Sequence, residues 1–240
     1  MRRVRSGTYH RWELGADMHD LHNLAERARS ICASVAPRVA LGMKVRNADD
    51  DRAEVLIYDM IGDYGVTAAD FVTEFRQVKA SKVDVRINSG GGDVFDAVAI
   101  HSALSGFSGE VTTWVDGVAA SAASFIAQAG KTRMIGKYAK MMIHNASGLV
   151  AGNAKDMRQM ADILDEISAT MADLYADRSG RPTATFAKAM DAETWYSATD
   201  AVDAGLADAV DAPAETGTEA ANARRSQLIR ARARLALRRE

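Results

Sequence analysis

The segment Asp116–Gly130 reads DGVAASAASFIAQAG and combines a glycine corner, an alanine-rich apolar run and two serines, Ser121 and Ser124. The residues leading into it, VTTWVDG, have the apolar pattern of a strand, and the glycine permits a sharp turn at little conformational cost. The run that follows predicts a helix from about Ala120 to Ala129. Ser121 is therefore predicted at a strand-to-helix corner, the unit from which α/β folds are built.

Predicted strands and helices alternate in both directions from this corner. The strand patterns cover residues 54–62, 82–89, 110–117, 132–145 as a pair, and 206–210. The helical patterns cover residues 67–78, 94–104, 120–129, 153–178, a segment after Pro182, and a short helix closed by Gly205. This alternation indicates an α/β fold with crossover connections. The helix over 153–178 is the longest, and its apolar residues recur every three or four positions, so one of its faces is apolar.

The composition is typical of one folded domain with extensions, because 48% of the 240 residues are hydrophobic and 26% are charged. Residues 1–50 are predicted as an N-terminal extension, with RNADDDRAE (46–54) as a solvated linker. Residues 51–211 are predicted as the folded domain. Residues 212–240 begin with APAETGTEAANA and end in a stretch with seven arginines, which we interpret as a flexible linker and a basic tail.

The composition also excludes several kinds of site. Cys32 is the single cysteine, so the chain can form no intramolecular disulfide and no cysteine-based metal site. Its apolar runs are shorter than the roughly 18 to 20 residues that span a bilayer, and the first residues lack the apolar core of a signal peptide. We therefore expect a cytoplasmic protein with no membrane partner. The basic tail is suited to a polyanion such as nucleic acid, and a solvated helix explains it equally well.

Ser121 has two interpretations at its predicted corner. A serine there caps the helix through its hydroxyl, which is a common structural role. The same position exposes the hydroxyl beside free backbone N–H groups and the positive end of the helix dipole, which are the requirements of an activated nucleophile.

Two other segments favour the nucleophile. RINSGGGDVFDA (86–97) ends a strand in three glycines, which allow the backbone to turn its N–H groups toward an oxyanion. Its spacing matches neither of the glycine-rich phosphate-binding motifs, so a nucleotide site is disfavoured. His144 ends the apolar strand of AKMMIHNASG, where an imidazole can reach a neighbouring strand-helix corner and act as a general base.

The motifs INSGGG, GVAASAASFIAQAG, MMIHN and ETWYSATDAVDAGLAD occur in the order typical of the Clp protease proteolytic subunit. Over residues 54–211 the chain resembles this family of serine peptidases. The block NSGGGDVFDAVAI, the DAETW segment and the extensions most resemble bacteriophage head maturation proteases. The resemblance implies a spiral of repeated β-β-α units with a long protruding helix, the fold shared with crotonases.

The resemblance assigns roles to individual residues. Ser121 matches the family nucleophile, His144 matches the base, and the backbone N–H groups of Gly92 and Ala122 match the oxyanion hole. Ser124 falls where the family has a small residue, so we interpret it as filling space. The register of WYSATDAVDAG places Glu193 where the family has the aspartate of the triad, and Asp191 is the alternative third member.

The implied activity is peptide-bond hydrolysis through an acyl-enzyme, with no metal and no organic cofactor. The implied partners are protein substrates, such as phage scaffold and capsid proteins, and further copies of the chain in a homo-oligomeric ring. The sequence contains no nucleotide site of its own, and docking of an ATP-dependent unfoldase is left open. Inside a phage procapsid such a partner is not needed.

Three other interpretations remain open at this point. A crotonase-like acyl-CoA enzyme also uses paired backbone N–H groups as an oxyanion hole. A proteolytically inactive, scaffold-binding homologue would explain the unusual third member. A Ser-Lys peptidase would use Lys137 or Lys140 as the base in place of His144.

Overall fold

A computed structural model describes the backbone of residues 43–49 and the whole of residues 51–211. The strands are β1 Met43–Asp49, β2 Arg52–Ile57, β3 Lys82–Ser89, β4 Glu110–Ala120, β5 Thr132–Gly136, β6 Lys140–Ile143, β7 Thr194–Ser197 and β8 Ala209–Asp211. The helices are α1 Ala68–Phe75, α2 Val94–Ser105, α3 Ala122–Ala127, α4 Ala154–Ser179, α5 Thr183–Asp191 and α6 Ala198–Ala204.

The strands form one sheet in the order β1-β2-β3-β4-β5-β8, with β6 paired to β4 and β7 paired to β6. Neighbours along the main path are parallel except for the β1–β2 pair, and β6–β7 is also antiparallel. The 11-residue strand β4 changes partner along its length. Thr112–Val115 pair with β5, and Val118–Ala120 pair with β6. This change of partner places the end of β4 beside the end of β6.

Alternating burial explains why these segments form half-covered strands. The side chains of β3 alternate between exposed or half-buried and buried along the strand, as a period of two requires. The core consists of the buried strand residues and the inward faces of the six helices, with α4 contributing only its C-terminal part. Side-chain oxygens of Thr67, Asp93, Asn153 and Ser197 accept hydrogen bonds from the first turns of α1, α2, α4 and α6, which fixes where these helices begin.

Helix α4 is the long helix that the sequence predicts, and most of its N-terminal half is exposed. Its buried residues lie in the last third of the helix: Met171, Ala172, Tyr175, Ala176 and Ser179. The helix ends at Gly180, whose φ of 71° is a left-handed cap that glycine adopts readily. Only the C-terminal part of α4 therefore packs on the core of the subunit.

The predicted α/β fold with a parallel sheet and a long helix is confirmed, and several boundaries differ. The strand predicted over 54–62 ends at Ile57, and α3 is shorter than the helix predicted over 120–129. Strand β7 was not predicted. The linker predicted over 46–54 is occupied instead by the β1–β2 hairpin, so the described sheet begins inside the predicted N-terminal extension. The rest of that extension and the basic tail lie outside the described residues.

Over the described ranges, none of the helices has the length and apolar character that crossing a membrane would require.

Candidate active site

Ser121 lies at the corner between β4 and α3 in a backbone conformation that is unusual for a serine. Its φ of 53° and ψ of −126° lie outside the regions that residues with a side chain prefer. Such a conformation costs about 1 to 3 kcal/mol and persists only where the surroundings impose it. Here the Ser121 N–H donates to the carbonyl of Met142 in β6, at 2.9 Å. The corner is therefore held to the neighbouring strand at the serine itself.

The serine and the histidine meet at this corner. The Ser121 Oγ lies 2.7 Å from the His144 Nε2, within hydrogen-bonding distance. His144 directly follows β6, which runs parallel to the end of β4, so both residues leave the sheet at the same edge. Both side chains are partly exposed, which leaves the pair accessible to a substrate. The sequence-predicted nucleophile and base are thus brought together.

The glycine loop after β3 runs against the same corner. A Cβ on Gly91 would lie 2.6 Å from the carbonyl oxygen of Ala120 and 2.8 Å from the Cβ of Ser121. A Cβ on Gly92 would lie 2.0 Å from the carbonyl oxygen of Ile61. Both glycines have positive φ, at 98° and 143°. Only glycine fits here, because any side chain would collide with backbone atoms as well as strain the loop.

The loop also orients the amide of Gly92. The Gly91 carbonyl accepts from the Ile61 N–H at 2.8 Å, and the Asp93 N–H donates to the Ile61 carbonyl at 3.0 Å. The Gly91 carbonyl and the Gly92 N–H belong to one trans peptide group and point in opposite directions, so the Gly92 N–H faces away from Ile61.

Ala122 is the first residue of α3, where a helix supplies no acceptor for the N–H group. The position of a Cβ on Gly91 lies 3.0 Å from this nitrogen, so the glycine loop reaches the predicted oxyanion residues. Two backbone donors beside a serine nucleophile, as predicted for Gly92 and Ala122, would stabilise negative charge on a substrate oxygen.

The two acidic candidates flank the exposed connection between α5 and β7: Asp191 is the last residue of α5, and Glu193 directly precedes β7. Asp191 accepts a hydrogen bond from the Asn145 side chain at 2.7 Å. Glu193 has a φ of 46° and accepts from the Trp195 indole N–H at 3.4 Å. Within residues 51–211, the only hydrogen bond of His144 is to Ser121, and neither carboxylate is bonded to the imidazole. Asn145 was not singled out from the sequence, although it directly follows the histidine.

Ser124 is buried, in line with the packing role predicted for it, and its hydroxyl also makes hydrogen bonds that the sequence did not predict. It is fully buried, and its hydroxyl donates to the Ser121 carbonyl at 2.6 Å. The same oxygen lies 2.8 Å from the hydroxyl of Tyr175 in α4. A buried hydroxyl beside an apolar run needs a polar partner, because an unsatisfied one is costly. Tyr175 lies four residues after the apolar Met171, and this helical spacing was the sequence signal that could have predicted its burial.

The remaining candidate bases do not reach the serine. His101 lies in α2 and packs against the Phe125 ring, with centroids 5.0 Å apart. Burial, together with the positive charge of Arg178, lowers the pKa of His101 to about 4. Lys137 and Lys140 are exposed, and no hydrogen bond links either to Ser121 in the described chain. Across the same residues, no group of three or more His, Cys, Asp or Glu side chains is placed to hold a metal ion.

Comparisons with known proteins agree on one family. The Clp protease family matches residues 48–213 of the chain. The ATP-dependent Clp protease proteolytic subunit 2 of Cutibacterium acnes is 27% identical over 199 residues, which are 82% of this chain and 74% of that protein. The proteolytic subunit of Oltmannsiellopsis viridis is 30% identical over 134 residues, 55% of this chain and 69% of that protein.

The fold matches a solved structure of the same kind. The ClpP1 N165D mutant from Listeria monocytogenes superposes with a TM-score of 0.59 at 21% sequence identity, covering 68% of this chain and 92% of that chain. At this level of identity the superposition supports the fold assignment alone. The family match extends over most of the chain, including every strand and helix that forms the site. The chain therefore belongs to the Clp protease family and is a serine-type peptidase.

Proposed function

We propose that the chain is a serine endopeptidase in which Ser121 is the nucleophile and His144 is the general base. The observation that carries this proposal is the 2.7 Å distance between Ser121 Oγ and His144 Nε2. It occurs at a strained strand-to-helix corner with a glycine loop against it. A structural cap would not need a histidine partner from another strand.

The proposed reaction follows from these positions. His144 Nε2 accepts the proton of Ser121 as the Oγ attacks the substrate carbonyl, and it later returns a proton to the leaving amine. The backbone N–H groups of Gly92 and Ala122 stabilise the oxyanion of the tetrahedral intermediate. Loss of one such donor costs about 3 kcal/mol of transition-state stabilisation in comparable enzymes.

Glu193 is the proposed third member, with Asp191 as the alternative. Register relative to the following WYSA segment supports Glu193. Asp191 is supported by its hydrogen bond to Asn145, which directly follows the general base. A carboxylate in this role holds the imidazole in the tautomer that accepts the serine proton, so it must reach His144 Nδ1. Movement of the exposed α5–β7 connection, or packing of a neighbouring subunit, would bring one carboxylate to the imidazole.

The proposed substrates are proteins, and the proposed assembly is a homo-oligomeric ring, as expected for the Clp protease family. The largely exposed N-terminal half of α4 is the surface proposed for contacts between subunits. More specifically, we propose a head maturation protease of a phage or prophage that cleaves scaffold and capsid proteins in the host cytoplasm or inside the procapsid. The sequence blocks that resemble such proteases support this assignment.

A fluorophosphonate probe tests the mechanism directly. The reagent reacts with an activated serine, so the wild-type protein is expected to gain one adduct, located by peptide mass spectrometry at Ser121. Ser121→Ala and His144→Ala should abolish the adduct. A crotonase-like enzyme or an inactive homologue predicts no adduct in the wild type, and a Ser-Lys peptidase predicts that His144→Ala still reacts while Lys137→Ala or Lys140→Ala does not.

A further inference from the structure

Helix α4 carries two hydroxyl side chains that contact the proposed site. One contacts the turn that contains Ser121, and the other contacts the loop that follows His144. Ser168 and Tyr175 lie seven positions apart in the chain. Seven residues make about two helical turns, so both side chains project from the same face, roughly 10 Å apart along the axis. Tyr175 contacts the turn of the serine, and Ser168 contacts the loop of the histidine.

The bonds at the serine end form a directed chain. Ser124 Oγ donates its one proton to the Ser121 carbonyl at 2.6 Å, so it accepts the hydrogen bond that links it to Tyr175 Oη at 2.8 Å. Tyr175 is the donor, and burial raises the pKa of its hydroxyl, which keeps the proton in place. Hydrogen bonds in such a chain polarise and strengthen one another. The α4 hydroxyl thus reaches the peptide group of the nucleophile through one side chain.

The bonds at the histidine end have the same form. The Ala146 N–H donates to Ser168 Oγ at 3.0 Å, two residues beyond His144. Ser168 in turn donates to the carbonyl of Leu164 within α4, at 2.7 Å. The loop that follows His144 otherwise has no regular structure up to residue 152. Ser168 therefore fixes the backbone just where the chain leaves the general base.

We propose that Ser168 and Tyr175 are positioning residues. They hold Ser121 and His144 at hydrogen-bonding distance by anchoring the segments of both residues to one rigid helix, α4. This inference rests on the proposed function. Ser121 adopts a strained backbone conformation, and His144 lies at the start of an irregular loop. Neither residue is held in its working position by local conformational preference. The β4–β6 pairing brings the two segments together, and a further anchor outside them fixes their relative position. A single helix that contacts both segments provides it.

The first test compares Tyr175→Phe and Ser168→Ala with wild type in peptide hydrolysis and in the second-order rate of fluorophosphonate labelling. Each variant is expected to lower kcat and the labelling rate by about tenfold, with KM little changed, since misplacement of reacting groups acts on the chemical step. Ser168→Thr keeps the hydroxyl and should restore most of the activity. Ser124→Ala should equal Tyr175→Phe, and the Ser124→Ala/Tyr175→Phe double variant should be no slower than either, because both break one chain of bonds.

Matched controls separate positioning from loss of stability. Thr113→Val removes another buried hydroxyl, which donates at 2.8 Å to the Ala127 carbonyl at the C-terminal end of α3, six residues from Ser121. Thr170→Ala removes an exposed hydroxyl of α4 whose one hydrogen bond within residues 51–211 is to its own helix, at the Glu166 carbonyl. Both controls should keep wild-type kcat and labelling rate, even where thermal unfolding shows that Thr113→Val is as destabilised as Tyr175→Phe.

The outcomes are distinguishable. If wild type is labelled at Ser121 but Tyr175→Phe and Ser168→Ala react as fast as their controls, the positioning role is overturned while the peptidase assignment stands. If the controls slow to the same extent as the test variants, the effect is general destabilisation and the inference is also overturned. If wild type itself is not labelled, the proposed function fails first.

Discussion

The corner at Ser121 and the connection from Asp191 to Glu193 supply different parts of the same proposed triad, and they differ in how tightly the subunit holds them. At the corner, the backbone N–H and carbonyl of Ser121 are both hydrogen-bonded, and the following residues of α3 are buried. In the acidic connection both carboxylates are exposed and bonded to surface groups. The subunit therefore holds the proposed nucleophile and base in place, and leaves the proposed acid weakly constrained.

The comparison shows which part of the proposed site has a fixed geometry within one subunit. The strained φ of Ser121 is held by hydrogen bonds of its N–H to Met142 and of its carbonyl to Ser124, in a turn followed by buried alanines. Glu193 also has a positive φ, 46°, but within residues 51–211 its side chain has only the long bond to Trp195. Strain at a buried corner is evidence of a fixed geometry, whereas strain on an exposed connection marks a place that can rearrange.

The largest expected effect on kcat comes from a substitution at the tightly hydrogen-bonded corner, at Ser121 itself. Ser121→Ala should lower kcat by about a millionfold, since loss of the nucleophile removes the covalent route. The fold should persist, because the hydroxyl bonds only to His144 and alanine keeps the backbone contacts. Peptide hydrolysis and a thermal unfolding curve measure the two quantities. Substantial residual hydrolysis in purified variant protein would contradict the assignment.

The next largest effect on kcat is expected from a substitution in the glycine loop after β3. Gly91→Ala places a Cβ 2.6 Å from the Ala120 carbonyl in a residue with positive φ, so the loop must move away from Ser121. Loss of one oxyanion donor lowers kcat by about 100- to 1000-fold. Gly90→Ala is the matched control, because its Cβ would meet only the Met60 sulfur at 3.7 Å. Equal rates for the two variants would show that this loop does not form the oxyanion site.

The acidic connection is tested by Glu193→Gln and Asp191→Asn. If Glu193 orients His144, its amide variant should lower kcat by about 100-fold, because the amide favours the wrong tautomer of the imidazole. Asp191→Asn should then cost less than about tenfold, through the weakened bond to Asn145. The reverse order of the two effects would assign the third position to Asp191.

The smallest effect concerns the packing behind the corner. His101 contacts Phe125 of α3, and its pKa is lowered to about 4, so the folded state resists protonation. The unfolded histidine titrates near 6.5, so its contribution to stability is present above that pH and is lost as pH falls toward 4. Between pH 7 and pH 5 the loss should be about 1 kcal/mol, since solvent screens a partly exposed ring.

Urea unfolding at the two pH values measures this loss. His101→Gln, which does not titrate, should be less sensitive to pH over the same range by that amount. An identical pH dependence in both proteins would mean that the half-buried ring of His101 does not contribute to acid sensitivity.

Local signals were enough to predict much of the fold. The alternation in KVDVRINS predicted β3 over its full length, and Thr67, Asn153 and Gly205 marked helix ends that the structure places at the same residues. These signals succeed because capping, periodicity and glycine conformation depend on neighbours within a few residues. Strand β7 was not predicted because its four residues pair with β6, more than fifty residues away, and carry little alternation of their own.

The residue types that carry the chemistry were visible in the sequence, whereas their arrangement depends on contacts between distant segments. A serine after a strand, a strand-end histidine and a run of glycines can be recognised one at a time, because each is a local pattern. The 2.7 Å distance between Ser121 and His144 arises from the pairing of β4 with β6, and the bond from Ser124 to Tyr175 spans 51 positions. Side-chain distances across the sheet follow from how strands and helices pack, and no short stretch of sequence contains that information.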